Sequence, residues 1–410
     1  MDKKVSYKLF HADDYNTNWV LDQLGTQCCG DAVPYTKSPD TFLKDFKRMI
    51  DWAHDHAIDL ICISGLLRER HGGLRAAEKI CDYAHIRNVK ICTSVNLYTN
   101  GGFYCDGDSP WCLDRFLADN PECIAQDENA NPIPAHYGHL QSCPANRKLN
   151  QYILKTLEWL FREIPQLDGI LLNTGSPACL CPHCSKHNDS LAIMADILPA
   201  AAEVIWDRSP DALVICNTTI PPDTPLPPDL FQKIMNMPEK LWFQWEYARH
   251  ADPTQTFLQE SFAKFHHILA APAKLTEQHK LCIENIRNQC RFAAKCGIHG
   301  IAIRGENSPF HTNDEFNYLA FQYFTNNPDA TFDQFIADVM APRLGCIEYA
   351  KQYLTYEPLY GQPEIIPEAI IQIGKISAAL KDYEMLRRWQ WLAAYLNRFY
   401  FEWRAETENV

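Results

Sequence analysis

The chain reads as an α/β protein, a (β/α)8 TIM barrel with a C-terminal helical extension. Three observations predict it. Short apolar runs alternate with amphipathic stretches eight times, which calls for a parallel sheet with helical crossovers. None of the runs opens into a Gly-rich dinucleotide fingerprint, which points to a closed barrel over an open sheet. The length of 410 residues holds a barrel of ~250 residues plus additions.

The strand-like runs, in chain order, are YKLFHA from Tyr7, IDLICIS from Ile58, VKICTSVNL from Val89 and DGILLN from Asp168. ALVICNT from Ala212, KLWFQWEY from Lys240, FHHILAA from Phe265 and GIHGIAIRG from Gly297 complete the eight. Between them, apolar residues recur at Leu43, Phe46 and Ile50, and again at Ile153, Leu157, Leu160 and Ile164. Both series fit one face of a helix. The connection from Tyr98 to Asn146 is long and rich in Gly, Asp, Asn, Pro and His, and loops of that length in compact domains are usually functional. PPDTPLPPD, from Pro221 to Asp229, is a turn-rich loop after the fifth run. From Asn326 the pattern becomes all helical and ends in a stretch rich in Trp and Tyr, Trp389 to Trp403. The expected division is a catalytic barrel over residues 1–325 and a helical extension over 326–410.

Composition narrows the function. The net charge of −13 argues against a nucleic-acid or anionic-membrane surface as the main partner. No stretch approaches ~18 uninterrupted apolar residues, so no membrane span is expected. MDKKVSYKLFHADD lacks the apolar core of a secretory signal. The 17 cysteines are odd in number, and many, such as Cys62, Cys92, Cys216, Cys282, Cys290 and Cys296, lie in or beside apolar runs, where a thiol acts as a small hydrophobe. A reducing compartment, the cytoplasm, is the expected location.

In a barrel of this kind the loops after the strands carry the chemistry. The strand ends deliver His11, Asp13 and Asp14; Arg68; Asn96 and Tyr98; Asn173; Asn217 and Thr218; Gln244, Trp245 and Glu246; and Arg304 and Glu306. Alternation along the eighth run puts Ala302, Arg304 and Glu306 on one face and Ile301 and Ile303 on the other. The Ile face should pack on helices, so Arg304 and Glu306 face the barrel mouth. By the same rule Gln244 and Glu246 share a face. A charge held there is paired or functional. Carboxylates, Asn and His beside aromatic residues at one rim are what carbohydrate sites use. Glu306, Glu246, Asp14 and His136 are the candidates for acid–base work across a glycosidic bond. Asp13, Arg304, Arg68, Asn96, Tyr98, His139, Asn173 and Trp245 are the candidates for holding the sugar. Strand five ends in Asn217 and Thr218, which argues against a metal-dependent hydrolase or lyase. No organic cofactor is implied.

CLCPHCSKH, from Cys179 to His187, follows the fourth run. Cys179, Cys181, Cys184 and His187 suit tetrahedral structural zinc, closed by protein ligands and so not catalytic.

Two longer stretches resemble known proteins. SCPANRKLNQYILKTLEWLFREIPQLDGILLNTGSPACLCPHC, from Ser142, resembles the strand-four region of barrel glycoside hydrolases related to family 20 hexosaminidases and family 67 α-glucuronidases. GIAIRGENSPFHTNDEFNYLAFQYFTNNPDATFDQFIADVMAPRLG, from Gly300, resembles the last strand and following helices of the same group. The resemblance implies the barrel fold and an exo-acting glycosidase. It also shows a departure: family 20 enzymes carry an Asp-Glu pair after strand four, where this chain reads Asn173-Thr174-Gly175-Ser176. The substrate-assisted mechanism of that family therefore does not transfer. The expected function is a glycoside hydrolase acting on a sialoside, uronide or N-acetylhexosaminide through carboxylates, with Arg304 or Arg68 gripping a sugar carboxylate. The alternative is a catalytically inactive sugar-binding barrel. The aromatic C-terminal stretch is the surface on which a homo-oligomer would form.

Overall fold

The structure, a computed structural model, describes residues 5–21, 38–103, 109–135, 138–175, 178–186, 190–218, 226–246, 264–271 and 279–408. Eight parallel strands close into a barrel in chain order. They are β1 (Tyr7–Asp13), β2 (Leu60–Ser64), β3 (Lys90–Asn96), β4 (Gly169–Asn173), β5 (Leu213–Asn217), β6 (Trp242–Glu246), β7 (His266–Ala270) and β8 (Gly300–Arg304). Each coincides with one of the eight apolar runs of the sequence. The crossover helices are α1 (Pro39–Asp55), α2 (Gly73–Ile86), α3 (Leu113–Asp119), α4 (Arg147–Glu163), α5 (Ser190–Arg208), α6 (Pro228–Met235), α7 (Ile283–Cys296) and α8 (Asn313–Asn326). Their starts are chemically marked. Ser38 accepts from the Thr41 N–H and precedes Pro39 at the first helical position, and Asn146 accepts from Lys148 N and Leu149 N.

Alternation along each strand builds two separate cores. Ile61, Ile63, Ile91, Val95, Ile170, Leu172, Ile301 and Ile303 point outward into the layer shared with the helices. Leu9, Leu60, Cys62, Cys92, Leu171, Ile215, Ile268 and Ala302 point inward and fill the barrel. Burial pushes the Cys62 and Cys216 thiols up to about 12, as expected of thiols used as small hydrophobes. At the N-terminal end of the barrel, Trp242 stacks on His266, ring centroids 4.5 Å apart, with Tyr7 at 5.4 Å. Apolar packing thus closes one end, and the polar residues are left for the other.

After α8 come the short helices α9 (Phe332–Phe335) and α10 (Ala341–Leu344), joined by a π-helical turn, then α11 (Ile347–Tyr356), α12 (Ile366–Ala379) and α13 (Tyr383–Glu408). Trp389, Trp391 and Tyr395 of α13 are fully buried. The aromatic stretch expected as a partner surface is thus largely spent on internal packing, and Phe401 is its exposed large aromatic among the described residues. A buried polar junction ties these helices to the end of the β7–α7 connection. His279 pairs with Asp314, Asn313 Nδ2 donates to the His279 carbonyl and to Glu357 Oε1, and Leu281 N–H donates to the same Glu357 oxygen. Tyr353 OH closes the network on Asn313 Oδ1 at 2.8 Å. Among the described residues, no helix is long and apolar enough to cross a membrane.

Candidate active site at the barrel mouth

The inward-facing positions change character toward the C-terminal ends of the strands. Below lie Leu, Cys and Ile; above them come His11, Ser64, Ser94, Asn96, Asn173, Asn217, Gln244, Glu246 and Arg304. These line a cavity of about 260 Å³ whose floor is Leu171, Ala270 and Ala302. Barrel closure alone brings together residues up to 293 positions apart in sequence.

Four of the wall residues form one directional chain. Gln244 Nε2 donates to Asn217 Oδ1 at 3.3 Å, Asn217 Nδ2 to Asn173 Oδ1 at 2.5 Å, and Asn173 Nδ2 to Ser94 Oγ at 2.9 Å. The chain spans β6, β5, β4 and β3, because Asn217 lies opposite Gln244 in the strand register. These groups carry no net charge and offer hydrogen bonds to a neutral polar ligand such as a sugar ring. Opposite them stands His11, beside Arg304 in the register. Burial and the Arg304 charge lower the His11 pKa to about 4, against the Gln244 side-chain oxygen, which as an acceptor favours the charged form. His11 is therefore a neutral imidazole at physiological pH.

Further charged groups stand past the ends of β1 and β8, where Arg304 lines the cavity and Asp13 and Glu306 lie behind it, outside its lining. Arg304 Nη1 donates to Glu306 Oε1 at 2.8 Å, and the Asp13 N–H donates to the same oxygen at 2.9 Å. Burial raises the Glu306 pKa; Arg304 opposes that rise and Asp13 adds to it. Burial also raises Asp13, with the neighbouring Asp14 charge second and the Tyr15 N–H opposing. Two close carboxyls with raised pKa values, one beside a guanidinium, are what a proton donor requires. Glu246 differs: it lines the cavity and is exposed.

The remaining candidates fall elsewhere. Asp14, expected as an acid or base, has a side chain with no solvent exposure. Arg68 Nε and Nη2 grip it at 2.5 and 3.1 Å, and His71 Nε2 lies 2.7 Å away. Gly65, at φ +80°, makes this burial possible, because any Cβ there would collide with the Asp14 carboxylate. Asp14 and Arg68 thus satisfy each other, and the Arg68 guanidinium lies 3.8 Å from the Tyr15 ring centroid. Tyr98 and Trp245 point away from the cavity. Tyr98 is buried with its hydroxyl on Asn150 Oδ1, and the Trp245 Nε1–H donates to His267 Nδ1 at 2.7 Å on the outer face of the sheet. His139 pairs with Asp114 at 2.6 Å within the long connection and does not line the cavity. His136 and His187 lie outside the described residues. His11, Asn217 and Gln244 were legible as strand ends; their convergence depends on register, which the sequence does not carry.

A second cluster lies beside this face. The sulfurs of Cys143, Cys179, Cys181 and Cys184 all lie within 4.8 Å of one another, a set able to hold a metal ion. Cys143 comes from the end of the long connection and was not among the expected ligands.

No protein-family model and no curated protein sequence matches the chain. Among solved structures it is similar to a GH138 enzyme targeting pectin rhamnogalacturonan II, at 11% identity and a TM-score of 0.56, over 98% of this chain and 58% of that one. It thus spans less than two thirds of that structure. The α-amylase of Geobacillus thermoleovorans gives 13% identity and a TM-score of 0.44, over 74% of this chain and 71% of that one. The debranching enzyme of Nostoc punctiforme gives 12% and 0.46, over 80% of each chain. At these identities the likeness is one of architecture, and it agrees with the closed strand order: the chain is a (β/α)8 TIM barrel continued by C-terminal helices.

Proposed function

We propose that the chain is a glycoside hydrolase of the exo-acting kind, working on an acidic or amino sugar, within the broad group that includes family 20 and family 67 enzymes. The observation that carries this is the cavity itself: a well of about 260 Å³ at the C-terminal end of the barrel, walled by uncharged amides, with Arg304 and Glu246 in its lining and Glu306 paired with that arginine. The GH138 likeness supports it through the fold alone. Such a well takes the end of a glycan chain. In this reading Asn96, Asn173, Asn217 and Gln244 bind sugar hydroxyls, and Arg304 binds a carboxylate or acyl group. Glu306, whose pKa its burial raises, gives its proton to the leaving oxygen. The exposed Glu246 supplies the second carboxylate. Asp13, through its backbone, holds Glu306 in place.

The test is a panel of fluorogenic hexosaminides, uronides, sialosides and neutral hexosides, with Glu306→Gln alongside. Release from one class, reduced about 10²- to 10⁴-fold in the variant, is the expected result. Full activity in the variant sinks the assignment.

Three observations favour a second reading, a sugar-binding barrel without turnover. Glu306 is ion-paired with Arg304, Asp14 is locked by Arg68, and β4 ends on Asn173 where family 20 places acids. Saturable heats of binding by calorimetry, with no product from any glycoside, would select it. The cysteine cluster in either reading takes zinc as a closed structural ion. The described cysteines are all free, which fits the cytoplasm.

A further inference from the structure

The two loops that leave β3 and β4 start as cavity wall, at Asn96 and Asn173, and end at the four thiols. Hydrogen bonds among their described residues join and brace them. Leu97 N–H donates to the Asn173 carbonyl at 2.8 Å, and Thr99 Oγ1 to the Gly175 carbonyl at 2.8 Å. Ser142 grips the Tyr98 carbonyl twice, from N at 3.1 Å and from Oγ at 2.7 Å. The next residue is Cys143.

All four sulfurs lie within 4.8 Å of one another, and two of their separations match the edges of a metal tetrahedron. Cys143 Sγ lies 3.7 Å from Cys181 Sγ and 3.8 Å from Cys184 Sγ. Zinc binds thiolate at about 2.3 Å, and a tetrahedron of that size sets its sulfurs about 3.8 Å apart. A disulfide needs about 2.0 Å. The sulfurs also receive backbone donors, as thiolates require. Gln126 N–H donates to Cys179 Sγ at 3.4 Å, and the N–H groups of His183 and Cys184 point to the Cys181 sulfur. Ala125 and Ile133 shield the cluster with apolar surface.

We propose that one zinc ion, ligated by Cys143, Cys179, Cys181 and Cys184, is the clasp that fastens the β3 connection to the β4 loop and so fixes the Asn96 and Asn173 side of the cavity. This builds on the zinc reading above and is independent of which sugar, if any, is cleaved. The four-thiolate set is closed, so the ion takes no part in bond cleavage.

The test uses the full-length chain. Elemental analysis of the purified protein should give one zinc per chain, lost in Cys143→Ser and retained in Cys143→His, which restores a three-thiolate, one-imidazole set. Hydrogen exchange before and after zinc is stripped with phenanthroline reads the clasp. Amides in 123–143 and 178–186 should exchange about tenfold faster or more, while the barrel strands Ile61–Ile63 and Ile301–Ile303 keep their rates. If Cys143→Ser does not fold, the stripped wild type carries the test. Iron in place of zinc, or protein lacking metal with four titratable thiols, overturns the zinc site. Bound zinc whose removal leaves both loops exchanging as before, or unfolds the barrel with them, overturns the clasp and leaves the glycosidase reading untouched.

Discussion

Gln244 and Trp245 are adjacent in the chain and face opposite sides of the sheet. Gln244 enters the amide chain of the cavity wall, and Trp245 passes its indole N–H to His267 among the outer helices. Trp245→Phe should therefore cost about 1–2 kcal/mol in chemical denaturation through the lost buried hydrogen bond. Sugar affinity should stay within twofold of wild type; a larger loss would return Trp245 to the binding surface. The inward direction of Gln244 and Glu246 was legible from alternation alone, and the same rule turns Trp245 outward; its aromatic character misled where its parity did not. Asp14 is the converse case. Its identity and strand-end position suggest chemistry, and only the contacts with Arg68 and His71, 54 residues or more away in the chain, show that its charge is already satisfied.

Each strand was legible because a barrel strand is buried on both faces and reads as an apolar run. The loops were not, because they are held by hydrogen bonds between segments far apart in sequence. Cys143 shows why: it stands 36 residues before CLCPHC, and nothing in its neighbours marks it as a partner. Gly175 is the tightest point of this loop pair. Its φ is +76°, and a Cβ there would collide with Thr99 Oγ1. Gly175→Ala should destabilise the protein by about 2 kcal/mol, adding left-handed backbone strain to the lost Thr99 contact. Urea unfolding checks the cost; a change below about 0.5 kcal/mol would mean that the stitch between the loops bears little strain.

Taken as a whole, the molecule joins barrel to extension through a buried carboxyl. Burial raises Glu357 from 4.5 to about 7, against the Leu281 N–H and Lys280. The folded state therefore keeps a proton that the unfolded chain releases near pH 4.5. The resulting stability is complete below that pH and is lost as pH rises through about 7. Glu357→Gln, which keeps the acceptor oxygen for Leu281 and Asn313, should melt with wild type at pH 4 and above it at pH 8. The gap should approach about 3 kcal/mol, or several degrees in Tm. Parallel pH dependence of the two proteins in calorimetry would show that the junction holds its carboxyl ionised.

The run of amides from Gln244 to Ser94 has one more property. Each of its three bonds runs from an amide nitrogen to the oxygen of the next residue, in the same rotational sense around the barrel axis. Turning over Asn217 alone would set two donors face to face toward Gln244 and two acceptors face to face toward Asn173, so its amide is locked to its neighbours. The wall therefore has a handedness of its own. A hydroxyl that must donate and one that must accept meet it at fixed and different places, which makes it a reader of ring stereochemistry.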